Sequence, residues 1–210
     1  MQETANRAIS GILYVIIMLL GSSYSNISCS LLFIVLGIIS IYEMWKLRIG
    51  KNKIIPLLYI VIPFSLIQIL CFQFEGNWKS NLILFMLILT FTFDTFAYLI
   101  GVKYGKNKII PSISPKKSWE GFTGGFIFTI IISYIISQYI FIINMNLAII
   151  ISLTLPFTAT IGDFIESKYK REAKVKDSGN IIPGHGGILD RMDALTITIP
   201  TIYILTNYFK

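Results

Sequence analysis

Residues 121–162 read GFTGGFIFTIIISYIISQYIFIINMNLAIIISLTLPFTATIG and contain no charged side chain. A helix that crosses a bilayer needs about 20 apolar residues. The run is long enough for two such helices, and Asn144-Met145-Asn146 is where the chain turns back. Similar runs lie elsewhere. Positions 8–42, 54–74 and 194–209 are free of charge, and Asp94 is the single charged residue between 80 and 102. The run at 8–42 also holds two spans, reversing at Gly21-Ser22-Ser23. In lipid each span must satisfy its own backbone polar groups, which favours helices, and the runs lack the alternation of a barrel strand. The expected fold is an all-α integral membrane protein. It is a polytopic bundle of about seven transmembrane helices, at 7–24, 27–45, 54–74, 81–103, 122–143, 146–166 and 188–208. Composition agrees, since 14% of residues are charged against about 25% in soluble domains. The first apolar run leads straight into the second without a small-residue cleavage site, so no cleavable leader is expected. Cys29 and Cys71 sit alone in apolar segments and make no metal or redox pattern.

Lys and Arg set the orientation. With the N-terminus in the cytoplasm, that side holds Arg7, the four basic residues at 46–53, the five at 103–117 and the six at 168–191. The other side keeps Lys79 and Lys210. The positive-inside rule favours this arrangement. The net charge of +7 then suits an anionic lipid surface and anionic substrates, with no need for nucleic acid.

One cytoplasmic segment breaks the oily pattern: KDSGNIIPGHGGILDRMD, 176–193. It holds the single histidine, His185, and the acids Asp177, Asp190 and Asp193. Upstream, Asp163, Ser167 and Lys170 recur at i, i+4 and i+7, so an acid, a hydroxyl and a cation share one helix face. Arg171 follows four residues after Ser167. Asp190 and Asp193 are spaced i, i+3 at the start of the last span, where acids also suit the helix dipole. Carboxylates with a hydroxyl fit a hard cation such as Mg²⁺. Gly184, Gly186 and Gly187 permit close backbone approach, and Lys170, Arg171, Lys174 and Lys176 suit phosphate oxygens. These ingredients match phosphoryl or nucleotidyl transfer. His185 reads either as a base or ligand, or as a conformational anchor. Asp94 reads either as a polar-cavity acid or as half of a structural pair.

The loop 103–121, KYGKNKIIPSISPKKSWEG, adds Ser114, Lys116, Lys117 and Glu120 at a span entrance, a candidate phosphate site. Ser118 also reads as a helix cap. Gly124 and Gly125 within FTGGF suit a close helix-packing face.

The segment SKYKREAKVKDSGNIIPGHGGILDRMD, 167–193, closely resembles the signature of the phosphatidate cytidylyltransferases, also called CDP-diglyceride synthases. The matching positions are Ser167, Lys170-Arg171, Lys176-Asp177, His185-Gly186-Gly187, Asp190-Arg191 and Asp193. Tyr169 stands where the family usually has an aliphatic residue or Phe. DTFAYLIGVKYGK, SPKKSWEGFTGG and GDFIES extend the resemblance over about 94–125 and 160–195. The stretch 1–80 forms N-terminal helices without a motif, and 81–210 is the expected catalytic membrane domain. Seven spans are fewer than the resemblance leads one to expect, so a further N-terminal helix belongs to the family pattern.

The resemblance implies that CTP and phosphatidic acid give CDP-diacylglycerol and pyrophosphate, in a homodimer embedded in the cell membrane. It implies Mg²⁺, with K⁺ as a second ion. Asp163, Ser167 and Asp190 would be ion ligands and Asp193 a support. Lys170 and Arg171 would hold phosphates. Asp94, Ser114, Lys116, Lys117, Glu120, Lys176, Asp177, His185, Gly186, Gly187 and Arg191 would line the substrates, in a polar funnel that opens to the cytoplasm between the last four helices. Two alternatives stand beside it. One is a CTP-dependent kinase of a polyprenol or phytol. The other is an ion-coupled transporter, which leaves the His-Gly-Gly-x-x-Asp-Arg-x-Asp loop unexplained.

Overall fold

A computed structural model describes residues 2–73, 81–182, 184 and 186–208. The described residues form seven helices: α1 Gln2–Tyr24, α2 Asn26–Leu47, α3 Ile54–Phe72, α4 Leu82–Tyr104, α5 Trp119–Tyr139, α6 Met145–Glu172 and α7 Leu189–Tyr208. Among the described residues there is no strand, only isolated bridges at Lys108–Ser118 and Ile182–Gly186. Among the described residues five helices, α2 to α6, are long and apolar enough to cross a membrane. The apolar part of α1 is shorter, at Ile9–Tyr24. The first turns of α7 carry Asp190, Arg191 and Asp193, which dilute its apolar character. The faces turned outward fit a lipid solvent. Ile9, Ile12, Leu31, Ile38, Val102, Ile127 and Ile204 are all exposed, far more apolar surface than a soluble monomer leaves bare.

Side-chain caps explain where the helices start. Ser25 and Ser28 form a reciprocal box at the start of α2, with N–H to Oγ distances of 2.9 and 3.0 Å. The first reversal therefore falls at Ser25 rather than at Gly21-Ser22-Ser23, because the box satisfies amide groups that a glycine turn would leave open. Asn144 accepts from the Asn146 amide at 2.9 Å and starts α6 at the expected reversal. Ser118 accepts from the Gly121 amide at 3.2 Å and starts α5 at Trp119, earlier than the 122 read from hydropathy. Helix α6 runs to Glu172, beyond the 166 of the apolar pattern. The charged turn Ser167–Arg171 is helical although it is not apolar, so hydropathy cut it off.

Helix α4 packs on α5, α6 on α7, α2 on α3, and α3 on α7. Gly125 makes the first pairing close: a side chain there would meet Phe93 and Ala97 at 2.8 to 3.0 Å. FTGGF is thus a packing face. Phe33, Met44, Ile60, Ile67, Phe85 and Leu155 fill the interior. Cys29 and Cys71 do not sit apart. Their buried free thiols lie 2.9 Å from each other across the α2–α3 contact.

Candidate active site

Helix α6 supplies the acidic stripe. Ser167 Oγ donates to Asp163 Oδ1 at 3.0 Å. Buried Lys170 donates to Asp190 Oδ1 at 2.7 Å and pairs with Glu166 one turn below. Lys117, from the loop before α5, forms an ion pair with Asp163. Burial alone would lower the Lys117 pKa. The Asp163 carboxylate outweighs it, with help from Asp94 and Asp193, and holds the ammonium above its usual value.

Gly162 makes the α6–α7 crossing possible. A side chain there would strike the Asp193 carbonyl oxygen. Tyr59 of α3 braces the crossing by donating to the Gly162 carbonyl at 2.7 Å and accepting from Thr196 at 2.5 Å. The close approach gathers Asp163, Glu166 and Asp193, which each place one oxygen within 4.8 Å of the others. Glu166 is fully buried, and beyond its Lys170 contact neither of its oxygens accepts a hydrogen bond among the described residues. An all-oxygen donor set with an unsatisfied buried carboxylate fits a hard divalent cation such as Mg²⁺.

Asp190 is held differently. Its Oδ2 accepts from the Ser178 amide at 2.8 Å, the Ser178 hydroxyl at 3.0 Å and the Gly187 amide at 2.7 Å. With Oδ1 on Lys170, both oxygens are engaged by the protein. Gly186 has φ +83, and a side chain there would meet the Asp190 carboxylate.

A cavity of about 660 Å³ opens over this cluster. Asp94, Ser114, Lys116, Lys117, Asp163, Asp190, Arg191 and Asp193 are on its wall. A second cavity, about 330 Å³, reaches Asp94, Asp190, Arg191 and Asp193 from another side, between α1 and α4, past Gly11, Tyr14, Leu87 and Phe91. One acidic and basic centre is therefore bordered by two spaces, one with Lys108, Lys116 and Lys117 on its wall and one without lysine, walled by residues of α1 and α4.

The structure thus brings together Asp94, Ser114, Lys116, Lys117, Asp163, Asp190, Arg191 and Asp193 around one space, with Ser167 and Lys170 behind them. It does not bring in every residue of the motif. Arg171 is exposed and donates to the carbonyls of Val175 at 2.8 Å and Ile113 at 3.4 Å, tying the α4–α5 loop to the end of α6. Glu120 accepts from the amides of Lys106 and Asn107 at 3.1 Å and shapes that same loop. Lys176 and Asp177 are exposed and lie off both cavity walls. Gly187 lies against Ser178 and a carboxylate from α2. His185 lies outside the described residues.

Three residues escaped the sequence reading. Glu166 sits inside the quoted GDFIES, three residues from Asp163 and four from Lys170, a spacing that puts all three on one face. Glu43 falls within the span expected at 27–45, and an acid inside a span is itself a signal. Tyr59 carried no signal beyond being a polar tip in an apolar run.

The fold and the site define a polytopic membrane protein with a carboxylate- and lysine-lined cavity and a second space beside it. Comparison with known proteins gives the family. The cytidylyltransferase family matches residues 51–209, and the chain belongs to it. Phosphatidate cytidylyltransferases from three bacteria are similar. That of Rickettsia bellii is 39% identical over 163 residues, covering 74% of this chain and 69% of the relative. That of Haemophilus influenzae is 42% identical over 163 residues, covering 72% and 57%. That of Thermotoga maritima is 44% identical over 131 residues, covering 58% and 47%. The chain thus spans about half to two thirds of the length of these relatives.

Proposed function

We propose that the chain transfers CMP from CTP to phosphatidic acid, giving CDP-diacylglycerol and pyrophosphate. The observation that carries this reading is the pair of spaces bordering one charged centre. A water-soluble triphosphate suits the space walled by lysines, and a lipid suits the one walled by α1 and α4. The names of the bacterial relatives point to the same reaction.

A phosphate monoester is already an anionic nucleophile, so the reaction needs no protein base. A lipid phosphate oxygen bonds to the α-phosphorus as the bond to the β-phosphate bridging oxygen breaks, and pyrophosphate leaves with that electron pair. Lys116, Lys117 and Arg191 on the cavity wall offset the charge that develops on the phosphate oxygens. Lys170 holds Glu166 and Asp190 in register. Mg²⁺ held by Asp163, Glu166 and Asp193 would supply further charge neutralisation. Asp163 is common to this set and to the one implied by resemblance, whose other members, Ser167 and Asp190, would then support it. K⁺ as a second ion is part of the same proposal and is tested by omitting it from the assay.

We place the protein in a bacterial inner membrane, with its N-terminus and basic loops in the cytoplasm. Sizing of the purified protein tests the homodimer that the resemblance implies; a mass of one chain would remove it. The central test uses purified protein in detergent, Mg²⁺, phosphatidic acid and CTP labelled at the α-phosphorus. Label in the lipid with release of pyrophosphate is expected. Lipid labelled only from γ-labelled CTP would make the protein a lipid kinase instead.

A further inference from the structure

Glu43 is 2% exposed, and among the described residues no Lys or Arg pairs with it. Its partners are donors of the signature loop. Oε2 accepts from the Ser178 hydroxyl at 3.0 Å and the Leu189 amide at 2.8 Å, and Oε1 from the Ile188 amide at 3.2 Å. Burying a carboxylate is costly unless donors surround it, and the start of α7 provides both amides and the positive end of a helix dipole. Space is reserved for it. A side chain at Gly179 or at Gly187 would run into the Glu43 carboxylate.

We infer that Glu43 is a positioning residue for the chemistry proposed above: it fixes Ser178, Ile188 and Leu189 of the signature segment and, through Ser178 and Asp190, the Lys170 ammonium. The Ser178 hydroxyl lies 3.0 Å from both Glu43 Oε2 and Asp190 Oδ2, so one proton serves two carboxylates. From Asp190 the chain of contacts continues to Lys170 and Glu166. The first amides around α7 are thereby occupied by protein carboxylates, Gly187 by Asp190 and the next two by Glu43. Substrate phosphates are left to the lysines of the opposite wall. Glu43 lies before residue 51, where the family match begins, so a helix without a motif completes the site.

The inference rests on the proposed function, and its test has an arm that does not. Full-length E43Q and E43A are purified beside wild type. Limited trypsin digestion follows cleavage after exposed Lys174 and Lys176 at the loop edge. E43A should be cut there about tenfold faster, since local opening sets the rate, with E43Q in between. Equal rates for all three overturn the inference. In the α-label assay, normalised to folded protein, E43A should lower kcat about 100-fold with KM for CTP within about twofold, and E43Q should keep part of the rate. An unchanged kcat, or a loss confined to KM, overturns it. Where E43A does not fold, G187A crowds the same carboxylate without removing it and should act as E43Q does; wild-type behaviour there counts against the inference. If wild type transfers no CMP, the functional reading fails together with the catalytic half of this one, and digestion still decides whether Glu43 holds the loop.

Discussion

The two large basic loops look alike in sequence and do different work. The α2–α3 corner carries four cations between 46 and 53, and the α4–α5 loop carries five between 103 and 117. At the first corner the charges serve the fold. Lys53 lies 3.5 Å over the Trp45 ring, Lys51 donates to the Glu172 carbonyl at 2.6 Å, and Arg48 pairs with the Glu172 carboxylate at 2.5 Å. In the second loop Lys116 and Lys117 face a cavity and its acids. A count of Lys and Arg bears on orientation but does not separate a cation that braces two helices from one on the wall of a cavity. The partner decides that.

Substitutions can break this contrast, and the largest effect belongs to the acid facing the second loop. D163N removes the partner of Lys117 and a member of the carboxylate cluster, and should lower CMP transfer by about 10³-fold while the protein stays in the membrane; transfer near the wild-type rate would remove Asp163 from the site. K117Q should cost about 10²-fold in the same assay. Its pH behaviour sharpens the point. The folded pKa of Lys117 is raised above 10.5, so its contribution to stability is complete below that value and lost as pH rises through the higher folded one. The stability gap between wild type and K117Q should therefore stay constant through neutral pH and close only in strong alkali. A gap that closes near neutrality would contradict the pairing.

At the other corner effects should be small and confined to stability. R48A removes an ion pair whose side chains are 10% and 36% exposed. With solvent screening, about 1 kcal/mol is expected, read as a lower melting temperature with kcat unchanged. K53A should cost about 0.5 kcal/mol and leave both kcat and KM alone. A tenfold fall in kcat for either variant would erase the distinction between the corners.

Much of the fold was legible because apolar run length is a direct statement about solvent. Helix ends were legible only in part: Ser118 read as a cap and is one, whereas Ser25 and the charged turn at 167–171 act through hydrogen bonds that hydropathy does not register. The α6 stripe was legible because i, i+4 and i+7 geometry is local. Glu43 and Tyr59 were hidden for the opposite reason. Glu43 meets Leu189 across 146 positions and Tyr59 meets Gly162 across 103, and no local spacing encodes such distances. The cysteines teach the same lesson at 42 positions.

Helix α6 has 28 residues, roughly 42 Å at the usual rise, against about 30 Å of hydrocarbon. The excess is about two turns. The charged residues of α6 all lie between Asp163 and Glu172, so this end is the one whose composition suits the depth at which neighbouring lipids carry their phosphates. A lipid substrate arriving there needs no lifting from its leaflet. On the proposed function, such a lipid would travel sideways at constant depth and keep its tails in oil while its headgroup reacts.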